Sequence, residues 1–231
     1  MRQMFALRGL RPEFRWRMIM RKEKVCGGQG LWPRPPVQTC RGGTIMRKNF
    51  GAKPWTYPQP VFILATYGED GTPDAMNAAW GGISEANELS VCISAEHRTT
   101  RNILARKAFT VSMADAAHVT ACDYVGVVSA NDVPDKLVRA GFHTTRSAFV
   151  DAPLIDELPM AVECRLVSYD PDTCRLVGEI VNVSADESVL DARGRIDPEK
   201  LRPITFDPIH SAYRALGPVV GRAFQDGKQL K

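Results

Sequence analysis

Val61-Phe62-Ile63-Leu64-Ala65-Thr66-Tyr67, then Gly68-Glu69-Asp70-Gly71, then the return from Pro73 to Trp80: this stretch decides how the chain folds. The first run is β-branched and aromatic, the second is glycine-containing turn sequence, and the third comes back from it, which together predict a β-hairpin. Downstream, Leu89, Val91 and Ile93 alternate with Ser90, Cys92 and Ser94, so the next strand has one apolar face and one small or polar face. Thr99 or Thr100 can cap a short helix running to about Lys107, with Ile103 and Leu104 turned inward. Phe109, Val111 and Met113 alternate as another strand.

Farther on, Asp132-Val133-Pro134 reads as a helix start and Gly141 as its stop, with Leu137, Val138 and Ala140 available to pack on the sheet. Residues 158–169 and 174–184 predict two long strands around the turn Asp170-Pro171-Asp172-Thr173. Short antiparallel strands joined by turns, with a few short helices inserted, imply a mainly β, Greek-key-like, closed or partly open barrel and not a parallel doubly wound sheet.

The formal charge of +4 is unevenly placed, because residues 1–45 carry ten Arg and Lys against only Glu13 and Glu23. Residues 46–231 hold twenty basic and twenty-four acidic side chains, so the predicted domain is mildly acidic and a nucleic-acid partner is not expected. Residues 1–45 also contain Gly27, Gly28, Gly30, Pro33, Pro35 and Pro36 and show little period. Three readings stand for them: translation that begins at Met46, a disordered basic tail, or a targeting peptide. No run approaches the roughly 18 apolar residues that a spanning helix needs, so no membrane segment is expected. The six cysteines, at 26, 40, 92, 122, 164 and 174, form no C-x-x-C pair and have no histidine at metal-ligand spacing. That pattern predicts no metal site and a reducing, cytoplasmic setting.

Neither a G-x-G-x-x-G, a P-loop, an H-E-x-x-H nor a nucleophile elbow is present. What remains is His97-Arg98-Thr99-Thr100-Arg101-Asn102 at a predicted helix start, where free amides, hydroxyls and guanidinium groups can hold a phosphate. Read alone, the same residues are also a threonine cap flanked by solvated arginines. The second candidate is Ala75-Met76-Asn77-Ala78-Ala79-Trp80-Gly81-Gly82, whose small side chains let a planar ligand approach the backbone. Asn77 offers a donor and an acceptor and Trp80 an aromatic wall, although a strand-end Asn and a core Trp fit too.

Together these segments resemble the flavin reductase-like family, flavoredoxins included. The resemblance continues through Phe109-Thr110-Val111-Ser112, the segment Ser129-Ala130-Asn131-Asp132-Val133-Pro134-Asp135-Lys136, Gly141-Phe142, the later strands, and Pro208-Ile209-His210-Ser211-Ala212-Tyr213-Arg214-Ala215-Leu216-Gly217. It covers nearly all of residues 46–231 and nothing before Met46. It implies an FMN-binding split β-barrel working as a homodimer, with the flavin ring along Asn77, Ala78, Ala79 and Trp80 and the phosphate at Arg98, Thr99 and Thr100. It further implies an NAD(P)H-dependent FMN oxidoreductase that passes electrons to a small acceptor or partner. A flavin-binding electron carrier without nucleotide oxidation, or a barrel of the pyridoxamine-phosphate-oxidase kind, would use the same residues. His97, His143, His210 and Tyr213 are the polar candidates at the pocket mouth, and no catalytic residue is assigned beyond His210 and Tyr213 as candidates. One departure is Trp80-Gly81-Gly82-Ile83-Ser84-Glu85, where related chains often place Ser, Thr or Pro.

Overall fold

The computed structural model describes residues 46–230. Residues from Pro54 on form one compact unit, and the expectations made for residues 1–45 lie outside the described residues. The predicted first hairpin is present as β1 (Phe62–Tyr67) and β2 (Pro73–Ala78), paired from Phe62↔Ala78 to Tyr67↔Pro73. Gly71 takes φ +82° in the turn, a left-handed conformation that favours glycine. There follow β3 (Gly81–Glu85), β4 (Glu88–Cys92), α1 (Arg98–Arg106), β5 (Ala108–Met113), α2 (Val119–Val127) and α3 (Lys136–Ala140). After a small hairpin of β6 (Thr144–Arg146) and β7 (Pro153–Ile155) come the long strands β8 (Met160–Asp170) and β9 (Arg175–Ala185). A short α4 (Pro198–Leu201) leads to the hairpin of β10 (Ile204–Asp207) and β11 (Ala212–Ala215).

Seven strands make one sheet in the order β2-β1-β5-β8-β9-β4-β3, every neighbouring pair antiparallel. The strands at its two edges, β2 and β3, are consecutive in the chain and joined only by Ala79 and Trp80. Three Cα–Cα steps reach at most about 11 Å, whereas the edges of a flat seven-stranded sheet would lie roughly 29 Å apart. The sheet must therefore curl until its edges meet. Trp80 extends the β3–β4 ladder by accepting the Cys92 amide on its carbonyl at 2.7 Å.

The curl gives the sheet an inside and an outside, and β1 is buried on both. Phe62 and Leu64 point inward to Leu89, Val91, Ile103, Phe109, Val111, Cys164 and Leu176, while Ile63 and Ala65 pack outward with Cys122, Val125, Leu137 and Phe142. This double burial explains why the run at 61–67 has no polar alternation. Two details differ from the sequence expectation. The N-cap of α1 is His97 and not a threonine, because Thr99 and Thr100 already lie in the helix. In α3, Leu137 is buried but Val138 is 77% exposed, since five residues make little more than one turn and present a single face. Among the described residues, no helix is long and apolar enough to cross a membrane.

Candidate functional site

Strand β2 links the two predicted segments. At its start Asp74 accepts the Thr99 hydroxyl at 2.6 Å, tying β2 to the first turn of α1. Its other carboxylate oxygen pairs with Lys136 at 3.3 Å, both side chains being only 4% exposed. The Lys136 ammonium also donates to the carbonyls of Val125 and Val128, so it joins α2 and α3 to the same point. Burial pulls its pKa below the ordinary lysine value, and Asp74 opposes that shift. Asn77 stands about 10 Å further along the strand, and Trp80 follows just past its end.

At the α1 end, a cleft of about 560 Å³ is lined by Glu69, Asp70, Arg98, Arg101, Asn102, Ala105 and Asn131. The helix has no acidic residue in its first turn and no side-chain cap, so its amino end keeps its free N–H groups and its positive dipole end. Arg98 is steadied by donating to the Ala130 carbonyl at 3.2 Å, and Arg101 by donating to Asn131 at 2.6 Å. The buried Asn102 amide nitrogen has no partner. Two guanidinium groups, an orphaned donor and an uncapped helix end fit a phosphate group.

Thr99 and Thr100 do not offer hydroxyls to this cleft. Both are buried, and Thr100 spends its proton on the Ser94 carbonyl at 2.7 Å as Thr99 does on Asp74. The groups facing the cleft from this cluster are Arg98, Arg101 and Asn102. His97 is partly buried, and burial, followed by the Lys136 charge, lowers its pKa and favours the neutral ring.

At the other end of β2, the Asn77 side chain donates to the Cys122 carbonyl of α2 at 3.1 Å. This contact requires Gly126, where an added Cβ would come within 2.6 Å of the Asn77 Cβ. Tyr213 reaches the same point from β11, donating to Asp123 at 2.6 Å. Burial and the Asp123 carboxylate together hold the phenol protonated well above its usual range. Asn77 and Tyr213 are thus brought together, although 136 positions separate them in the sequence. Ala78 points into the barrel interior and can serve a ligand only through its backbone. The Ala79 carbonyl accepts the Gln59 amide at 3.0 Å. Trp80 is 38% exposed and is therefore no core residue. With Gly81, Gly82, Ile83, Ser90, Val91, Cys92, Thr173 and Arg175 it lines a second cleft of about 320 Å³. Small residues and one aromatic wall at a seam fit the edge and face of a planar ring.

His210 is held at Nδ1 by Asp207 at 2.9 Å, and the same carboxylate accepts from Tyr57 and, at 2.7 Å, from Arg214. The Tyr57 hydrogen bond, then those of Arg214 and His210, keep the Asp207 carboxyl well below the usual carboxylate range. That arrangement anchors the last hairpin and leaves the His210 side chain 65% exposed. His143 is engaged elsewhere, bonded to Glu157 at 2.6 Å before β6, and lines neither cleft. Asp74, Asp123 and Lys136 were missed as site residues, since only the packing of α2 and α3 on β2 gives them a common neighbourhood.

Comparison with known proteins agrees with this geometry. Residues 55–204 match the family described as flavin reductase like domain. The chain is similar to a flavoredoxin of Desulfovibrio vulgaris (Miyazaki F), with 36% identity and a TM-score of 0.76 over 79% of this chain and 100% of that one. It is also similar to a flavoredoxin from Methanosarcina acetivorans, with 26% identity and a TM-score of 0.71 over 80% and 98% of the two chains. An uncharacterized protein of Aquifex aeolicus is 26% identical over 73% of this chain and 88% of its own length. A split-barrel flavin reductase-like structure from Shewanella frigidimarina, at 15% identity and a TM-score of 0.63 over 72% and 86% of the chains, shares the fold. With the curled seven-stranded sheet, the seam at Ala79 and Trp80 and the uncapped helix beside β2, the match over residues 55–204 places this chain in the flavin reductase-like family.

Proposed function

We propose that the protein is an FMN-dependent oxidoreductase that takes electrons from NAD(P)H and passes them to a small acceptor or partner protein. The observation that carries this is the joining of two complementary ends by one strand. Arg98, Arg101 and Asn102 gather at an uncapped helix tied through Thr99 and Asp74 to β2, and Asn77 to Trp80 lie at the far end of that strand. Arg98 and Arg101 hold the phosphate, while Asn77, the backbone of Ala78 and Ala79, and the Trp80 indole orient the ring. When bound, FMN supplies the hydride and electron chemistry. The residues of the chain bind it, position it and set its surroundings, with Tyr213 keeping its proton beside Asn77 and His210 presented from the last hairpin. Cytoplasmic work in a reducing setting is consistent with four described cysteines that are all free. A homodimer is supported by Ile83, Val167 and Val183, left 69%, 55% and 46% exposed on the sheet. A monomer mass by light scattering would overturn that part.

The test is anaerobic mixing of the full chain with FMN and NADH or NADPH while flavin absorbance is followed. Bleaching with one nucleotide is expected, and none with either would overturn the oxidase half of the proposal. The 36% identity to a flavoredoxin favours one second reading, an electron carrier that holds FMN without oxidising nucleotide itself. Arg98→Ala tests the phosphate contact. It should weaken FMN about tenfold to a hundredfold, the worth of one charge-assisted hydrogen bond, while riboflavin binding stays unchanged.

A further inference from the structure

The second cleft holds chemistry that flavin binding does not use. Cys92, at the end of β4, is exposed and lines it beside Trp80. Its sulfur contacts the Thr173 carbonyl at 3.4 Å, and that carbonyl belongs to the peptide whose nitrogen is Cys174. Cys92 sits opposite Arg175 in the β4–β9 register, and the next amide, Ile93, donates to the Cys174 carbonyl at 2.8 Å. A residue one step diagonal to a non-hydrogen-bonded antiparallel pair lies about 6 Å away between Cα atoms, within the span that a disulfide bridges. Cys174 precedes β9 with φ +59°, a left-handed conformation rare outside glycine, so its side chain does not follow the alternation of the strand. Its sulfur rests 3.9 Å from the Pro171 carbonyl. Tyr169 donates to the Ile93 carbonyl at 3.0 Å, and its pKa rises to about 12 through burial and then the Cys174 thiol. Burial, and then the Cys174 thiol, also raises the Cys92 thiol. The other two described cysteines, Cys122 and Cys164, are buried, and burial pushes both thiols up to about 12, which leaves them inert.

We propose that Cys92 and Cys174 are a redox-active dithiol that closes reversibly to a disulfide by exchange with a low-molecular-weight disulfide. One cysteine thiolate attacks a sulfur of the small disulfide, whose S–S bond breaks to release one small thiolate. The second cysteine thiolate then attacks the mixed disulfide, forming the Cys92–Cys174 bond and releasing the other small thiolate. Two electrons pass from the protein sulfurs to the small molecule, and the two protons end on the small thiols or in solvent. Closure fastens the turn at 170–173 to β4 at the rim of the Trp80 cleft. The pair therefore stores two reducing equivalents on the chain itself, independently of any flavin.

The experiment equilibrates the full chain, free of flavin, in a series of reduced and oxidised glutathione ratios, then quenches with acid, alkylates and maps peptides by mass spectrometry. A linked peptide joining Cys92 to Cys174 is expected, growing with the oxidised fraction and abolished by dithiothreitol. Cys174→Ser should replace it with a glutathione mixed disulfide on Cys92. Independent alkylation of Cys92 and Cys174 across the whole series would overturn the proposal, and so would a bridge that runs to Cys26 or Cys40. The wild-type map needs no variant to fold, and its outcome does not depend on whether FMN binds.

Discussion

At the scale of single residues, Asp74 has the most to lose. It accepts from Thr99 of α1 and pairs with Lys136 of α3, and both members of the ion pair are almost fully buried. A buried pair roughly breaks even against an apolar one, but removing one partner strands the other charge. Asp74→Ala is therefore expected to cost about 3–5 kcal/mol, read as a lower urea midpoint with an unchanged slope. The double variant Asp74→Ala/Lys136→Met should recover most of that loss. A single-variant cost under about 1 kcal/mol would mean that the lysine escapes to solvent. The same residue ties Thr99, next to Arg98, to β2, so its loss should also weaken FMN, which distinguishes Asp74 from a purely structural carboxylate such as Glu163 on β8.

Among the elements, β9 is an interior strand paired with β8 on one side and β4 on the other. Its Gly178 leaves room for Phe109 of β5, whose ring carbon Cζ would lie 2.4 Å from an added Cβ. Alanine would gain about 0.5–1 kcal/mol from reduced backbone freedom in the unfolded chain, but overpacking a fully buried ring costs about 1–3 kcal/mol. The clash wins, so Gly178→Ala should destabilise by roughly 1–2 kcal/mol in chemical unfolding, and Phe109→Leu in the same chain should relieve it. A more stable single variant would show that the ring has space to retreat. Several elements escaped the sequence, helix α2 and strand β3 among them. Helix α2, Val119-Thr120-Ala121-Cys122-Asp123-Tyr124-Val125-Gly126-Val127, is rich in β-branched residues and lacks a capping side chain. It is helical because Cys122 and Val125 must cover the outer face of β1 and Gly126 must admit Asn77. Strand β3 begins with Gly81 and Gly82, and becomes a strand because the β4 edge offers it a partner.

For the whole molecule, the two-residue connection at Ala79 and Trp80 decides whether the barrel closes. Deleting Ala79 would shorten the span and shift β3 by one residue, which exchanges its faces. The expected result is loss of the β3–β4 pairing and of cooperative unfolding, seen as non-coincident transitions in tryptophan fluorescence and far-ultraviolet circular dichroism. Inserting one glycine on each side of Trp80 should instead cost about 1 kcal/mol or less, since loop entropy grows slowly with length. Equal damage from both changes would show that closure depends on Trp80 packing and not on reach. Local sequence was enough for the hairpins at 61–80 and 158–184 and for the stop at Gly141 with its φ of +75°, because each follows from turn chemistry and a short-range pattern, while the family came from the resemblance of its segments. It also singled out both ends of the candidate site, at Asn77 to Trp80 and at Arg98. Which side chains face a cleft was decided only by the tertiary structure: Thr99 and Thr100 spent their hydroxyls inside, Arg101 and the buried Asn102 came to line the cleft, and Asn77 met Tyr213 across 136 positions. The physical reason is that a pattern of period two or 3.6 fixes the spacing of side chains along an element, while their partners are supplied by other elements whose approach is set by the closing of the sheet.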